Sequence, residues 1–306
     1  LQRREDVQRV VFVMHGIRDN GEWTREVARC ARTFGAARGE TVETVTSSYG
    51  YFPMGAFLLF GSRQRNVRWF MDQYTEALAR YPQAEFSFIG HSNGTYLLGS
   101  TLRRYKTPRF DRVVLAGSVL PRAFEWDDFV QQGRVGTIQN YVATGDWVVG
   151  WFPALFEFCA DLLQQRADLG SAGHNGFLAN STHQHAIVYA RGGHGAALTG
   201  TDEQGRALDN YGNLARFAIG EEVDARQIPM LAAPSERSRF VDVGHRFCPL
   251  VWAAILALVG ILACLPVWWA CFRPDWRHPT PPDWQHFSWG WIGTVLVLLW
   301  LVLRRF

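Results

Sequence analysis

The sequence predicts an α/β fold with a mainly parallel central sheet covered by helices, followed by two apolar helical spans. Three observations predict it. From Arg9 to Ala190, short β-branched or aromatic runs alternate with segments of helical apolar spacing, the order expected of a parallel sheet with helices on both faces. At Glu85 to Arg104, EFSFIGHSNGTYLLGSTLRR, a strand pattern passes into a helix pattern through Gly90-His91-Ser92-Asn93-Gly94. After Arg246 the composition turns sharply apolar.

The elements can be justified in order. Arg9 to Met14 (RVVFVM) has the continuous apolar character of a strand buried on both faces, and it runs directly into His15-Gly16-Ile17-Arg18-Asp19-Asn20. Glu22 to Phe34 sets Trp23, Val27, Cys30, Ala31 and Phe34 on one helical face. Thr41 to Thr46 alternates like a strand, and Val67 to Leu78 repeats the helical stripe through Phe70, Met71, Tyr74 and Leu78. Phe86, Phe88 and Ile89 form the next strand, and the helix from Asn93 closes on Arg103 and Arg104, cations that suit a helix C-terminus. Further strands are predicted at Val113 to Gly117, Ile138 to Thr144 and, as the last, Ile187 to Ala190.

A serine between a strand and a helix must hold a strained backbone angle. Glycine two residues to either side, Gly90 and Gly94, leaves room for the turn and for a substrate to reach Ser92. The pentapeptide alone is a weak signal, and the His15-Gly16 turn after a buried strand is its context. On these residues the first part of the chain, 1–240, resembles the α/β-hydrolase superfamily in its serine esterase and lipase branch. The resemblance implies that Ser92 is a nucleophile and that an oxyanion hole is built from the backbone N–H groups of Ile17, Gly16 and Asn93. Such fixed dipoles stabilise the developing oxyanion by about 3 to 4 kcal/mol each.

The resemblance also implies an acid and then a histidine, each on a loop just past a strand. Asp146, in Ala143-Thr144-Gly145-Asp146-Trp147, follows the strand ending at Thr144, and His194, in Arg191-Gly192-Gly193-His194-Gly195, follows the strand ending at Ala190. Asp161 and Asp168 are the rival acids, and His174, His183 and His185 the rival bases. In the implied mechanism His194 takes the Ser92 proton and returns it to the leaving group, while Asp146 fixes the ring's tautomer and stabilises its cation. His15 reads as a structural residue of the oxyanion loop, and His183-x-His185 as a polar strand end; no metal and no cofactor is predicted.

Among the 306 residues a net charge of +3 gives no argument for a nucleic-acid partner. The five cysteines, Cys30, Cys159, Cys248, Cys264 and Cys271, are scattered and suit a reduced compartment better than a disulfide framework. The opening LQRREDVQR has no signal-peptide core. Residues 148–182 exceed the needs of a sheet, and VVGWFPALFEFCADLL is either a lid with Trp151, Phe152, Phe156 and Phe158 lining an acyl pocket or an ordinary amphipathic core helix.

Residues 249–272 and 287–303 read as transmembrane helices joined by a short Pro-rich turn at 273–286, with Trp268, Trp269, Trp289 and Trp291 as interfacial aromatics. Arg237, Arg239, Arg246, Arg304 and Arg305 flank the hairpin on its outer ends against Arg273 and Arg277 in its turn, which puts the hydrolase domain on the cytoplasmic side. The expectation is a membrane-anchored serine hydrolase of carboxylic esters, with lipid or phospholipid substrates favoured by the bilayer beside it. A hydrolase of soluble esters or thioesters is the enzymatic alternative, and a catalytically silent membrane-tethered binding or effector module the alternative of another class.

Overall fold

The computed structural model describes residues 2–17, 21–46, 48, 50, 57, 60–178, 185–201 and 206–272. Its first compact unit, Leu1–Arg246, is built on a six-stranded sheet. The strands are β1 (Arg9–Met14), β2 (Val42–Val45), β3 (Glu85–His91), β4 (Phe110–Ala116), β5 (Val135–Ala143) and β6 (His185–Ala190). They lie in the order β2-β1-β3-β4-β5-β6, and every neighbouring pair is parallel. The chain starts at β1, adds β2 on one side, and returns to add β3 on the other. In such a sheet the loops leaving β1 and β3 diverge to opposite faces, and the crevice between their carboxyl ends is where ligands bind. Sequence predicted both of those loops as functional.

The helices follow from what each strand face must bury. Along β1 the even positions, Val10, Phe12 and Met14, join one core, and the odd positions, Val11 and Val13, join another. The first core is closed by α2 (Phe60–Arg80), α3 (Asn93–Arg104) and α4 (Trp126–Gln131), which contribute Val67, Phe70, Tyr74, Leu97, Leu98, Trp126 and Phe129. The second is closed by α1 (Glu22–Ala37), through Trp23, Val27 and Ala31, and by α7 (Tyr211–Ala218), through Leu214, Ala215 and Ala218. Between β1, β3, β4 and α2 six rings pack edge to face or stacked: Phe12 lies 5.7 Å from Phe70, Phe70 5.5 Å from Phe88, and Tyr74 5.2 Å from Phe86. Pairs of this kind add about 0.5 to 1.5 kcal/mol each beyond their burial, and they stiffen the strand that carries Ser92.

Some elements differ from expectation. β6 is the last strand of the main sheet, but an antiparallel pair, β7 (Thr199–Thr201) and β8 (Ala207–Asp209), follows it in a sheet of its own. Strands of three residues are too short to show a period. The expected boundary near residue 240 falls inside a helix, α8 (Arg239–Arg246), whose Val241 and Gly244 are buried in the first unit. The insertion forms α5 (Trp147–Leu162) and the single turn α6 (Ala172–Asn175). One face of α5 is core, with Val149, Gly150, Pro153 and Ala154 buried and Phe152 and Phe156 packed against the first cluster, while Phe158 and Leu162 are exposed.

The second unit, Phe247–Phe306, is described through α9 (Cys248–Phe272), an apolar helix with Leu250, Leu256, Leu258 and Ile261 exposed. The first expected span falls within it. Counted over residues whose side chains are described, however, no single helix is long and apolar enough to cross a membrane; Arg239–Arg246 and Cys248–Leu262 reach that mark only when taken together. The turn 273–286 and the second expected span, 287–303, lie outside the described residues.

Candidate active site

Ser92 sits between the last residue of β3 and the first of α3 with φ 52° and ψ −118°, a conformation that L residues rarely adopt. The strain is held from both sides. Its N–H donates to the carbonyl of Ala116 at the end of β4 (2.9 Å), and its carbonyl accepts from Thr95 N–H (2.9 Å) and the Thr95 hydroxyl (2.7 Å). Gly94 lies so near the end of β1 that a Cβ there would come 2.5 Å from the Met14 carbonyl oxygen. A Cβ on Gly16 would come 2.8 Å from Ser92 Cβ and 3.4 Å from its Oγ. The His15-Gly16-Ile17 turn therefore rests directly against the side chain of Ser92, a residue 6% exposed. Asn93 opens α3, where the first N–H groups of a helix have no partner within it.

Asp146 caps α5. One carboxylate oxygen accepts from Val149 N–H (3.0 Å), the other from His194 Nδ1 (2.9 Å), and the side chain is fully buried. Its loop is tied to that of His194: Thr144 N–H donates to Ala190 O (2.9 Å), Gly145 N–H to Gly192 O (2.7 Å), and Gly192 N–H to the Thr144 hydroxyl (3.2 Å). Burial alone would push the Asp146 carboxyl up, but the charge and hydrogen bond of His194 and the Val149 amide outweigh it and hold the group below the usual carboxylate range. Burial would likewise push His194 down, and the Asp146 charge and hydrogen bond reverse it, so the imidazole lies above its ordinary value. A carboxylate on Nδ1 fixes the tautomer that leaves Nε2 free to accept a proton.

Sequence reasoning missed two neighbours of His194. Gly117, just past β4 with φ 53°, lies so close to the imidazole that a Cβ would come 2.8 Å from Cε1. The ring of His91, the residue between Gly90 and Ser92, lies 4.7 Å from the His194 ring, and its Nε2 donates to the His194 carbonyl (3.2 Å). A glycine ending a strand beside the elbow was the only signal for Gly117, and His91 gave none because the motif leaves its position open.

Two of the rivals, Asp168 and His174, are engaged elsewhere. Asp168 pairs with buried Arg63 (2.6 Å) and with the Tyr96 hydroxyl (3.2 Å). Asp161 lies on the exposed end of α5. His174 is fully buried against Arg237 and Asp242. His183 lies outside the described residues, and His185 opens β6. His15, also buried, meets the Gly16 carbonyl through Nδ1 (2.8 Å) and the Ser48 hydroxyl through Nε2 (2.9 Å).

No family model matches this chain, and no curated protein does. Among solved structures it is similar to lysin B from Mycobacteriophage D29, at 16% identity and a TM-score of 0.32 over 44% of this chain and 63% of that one. It is similar to a cold-adapted esterase from an Arctic intertidal metagenomic library, at 15% identity and a TM-score of 0.39 over 62% and 76% of the two chains. It is also similar to a putative hydrolase of the alpha/beta superfamily from Xanthomonas campestris pv. campestris, at 13% identity and a TM-score of 0.33 over 60% and 87%.

Proposed function

We propose that this chain is a serine hydrolase of α/β-hydrolase type that cleaves carboxylic esters through Ser92, His194 and Asp146 by way of an acyl-enzyme. The observation that carries the reading is the 2.9 Å bond from His194 Nδ1 to the buried Asp146 carboxylate, in a chain that also holds Ser92 in a strained turn at the switch point of its parallel sheet. His194 Nε2 takes the Ser92 proton as the hydroxyl attacks the ester carbonyl, then gives it to the departing alcohol. Ile17 or Gly16 and Asn93 supply the N–H donors for the oxyanion. Water enters by the same route and releases the acid. Lipid esters are the favoured substrates and the α9 segment the membrane anchor, supported by the leucine and isoleucine side chains that α9 leaves exposed. The flanking arginines favour a cytoplasmic face for the domain.

Ser92→Ala tests this. It is expected to abolish both fluorophosphonate labelling and ester turnover with the fold intact, leaving only the residual rate due to binding and oxyanion stabilisation. Turnover within tenfold of the parent chain would remove Ser92 from the mechanism.

A further inference from the structure

The closing stretch of the first unit, residues 237–246, is not needed to cover the sheet, yet it is bonded to the acid loop from both sides. Ser238 N–H donates to the carbonyl of Thr144 (2.8 Å), just ahead of Asp146. Beyond Asp146, in the first turns of the helix it caps, the Trp151 indole N–H donates to the carbonyl of Val241 (3.2 Å), and His245 Nδ1 donates to the carbonyl of Gly150 (2.8 Å). Gly244 and Trp151 are in such close contact that a Cβ on Gly244 would lie 2.3 Å from the indole nitrogen.

What fastens this stretch is a polar cluster. A single guanidinium nitrogen of Arg237, Nη2, meets Asn175 Oδ1 (2.7 Å), Asp242 Oδ1 (2.6 Å) and His174 Nε2 (3.1 Å). The amide of Asn175 donates in turn to His245 Nε2 (2.7 Å). His174 is fully buried and the Arg237 side chain 22% exposed. Apolar packing of the same volume would hold two helices together without the desolvation cost that these groups carry. Removing one partner of such a cluster is far more damaging than never having built it, so it fixes one register of the 237–246 stretch against α5 and α6.

We propose that residues 237–246 are a strap that positions Asp146, and that Arg237 is the positioning residue through which the strap is fastened. The proposal rests on the reading of Asp146 as the acid of the triad. Arg237 touches neither Ser92 nor His194. It acts by holding Ser238 against Thr144 and α8 against Gly150 and Trp151, so that the carboxylate stays in line with His194 Nδ1. Shifts of about 1 Å in a catalytic group cost on the order of a hundredfold in rate.

The test uses the full chain and a short chromogenic ester. Arg237→Gln is expected to lower kcat by about tenfold to a hundredfold with KM within twofold. The acid limb of the rate profile should move to lower pH, because a displaced Asp146 no longer raises the His194 imidazole. Arg237→Lys should restore most of the rate, since the three contacts converge on one nitrogen and an ammonium has three donors. A kcat within twofold of the parent overturns the proposal, as does a loss that lysine fails to restore while the acid limb stays in place. If Arg237→Gln does not fold, Asp242→Asn carries the test with the same directions, its side chain being 41% exposed, and an unchanged rate and limb there overturn the proposal too. Ser92→Ala, measured alongside, separates the readings: an inactive Ser92→Ala with a normal Arg237→Gln leaves the triad standing without the strap.

Discussion

Asparagine at position 146 would change one atom of a fully buried side chain and keep its shape, so the expected effect can be worked from the bonds at that point. One oxygen of Asp146 accepts from Val149 N–H at 3.0 Å and the other from His194 Nδ1 at 2.9 Å. An amide has one acceptor and must choose. If its oxygen stays on Val149, its NH2 faces Nδ1, the ring must carry its proton on Nε2, and it can no longer take one from Ser92. If the amide flips, its NH2 faces the Val149 N–H, which leaves a buried donor unmatched at a cost of about 1 to 3 kcal/mol. The competent orientation is then about ten- to a hundredfold less populated, and it still lacks the negative charge that steadies the imidazolium. Together these give an expected fall in kcat of about 10⁴-fold for Asp146→Asn at pH 7, with the helix cap and the melting temperature largely retained. Steady-state turnover of a short ester, with a thermal melt on the same sample, measures both. A fall of less than tenfold with an unchanged melt would refute the assignment of Asp146 as the group that orients His194.

Two further outcomes follow from other parts of the molecule. Burial, with Arg237 and His245 close by, depresses the His174 imidazole to about 4, below its ordinary 6.5, so the folded state binds that proton less readily than the unfolded chain does. Stability is therefore full above pH 6.5 and falls as pH drops toward 4, by roughly 2 kcal/mol at pH 5, and denaturant melts should show this slope flattened in His174→Gln. Removing residues 247–306 should leave hydrolysis of short soluble esters within about twofold while hydrolysis of bilayer lipid falls sharply, because a tether sets the local concentration of a substrate confined to a surface. Vesicle and soluble-ester assays on one preparation read both, and equal loss on the two substrates would count against the anchor.

Much of the sheet was legible because parallel strands buried on both faces leave a dense local mark. RVVFVM needs no partner in view to be read as β1, and the elbow announces itself by its glycines. Asp146 and His194, which the structure bonds to each other, were picked out by position alone, each just beyond a strand. What escaped depends on distance along the chain. Arg237 was read only as one of the arginines flanking an apolar segment, Asp242 and His245 carried no local signal, and only the fold turns the three inward, toward Asn175, His174 and Gly150. Gly117 and His91 likewise take their meaning from His194, which no local pattern places beside them.

The separation along the chain between Asp146 and residues 237–246 bears on the order in which their contacts form. Asp146 and His194 both leave the ribosome well before the contacts that brace α5: the bond from Trp151 to Val241 spans 90 residues, and that from His245 to Gly150 spans 95. Translation at about 5 to 20 residues per second puts several seconds between them. Over that interval the sheet can pair and the elbow can close, but the helix that Asp146 caps still lacks the bonds from Val241 and His245. The segment that completes the brace is followed at once by the apolar helix. On the proposed reading of Ser92, His194 and Asp146 as a triad, a nascent chain holds Asp146 without its α5 brace until residues 237–246 have also emerged.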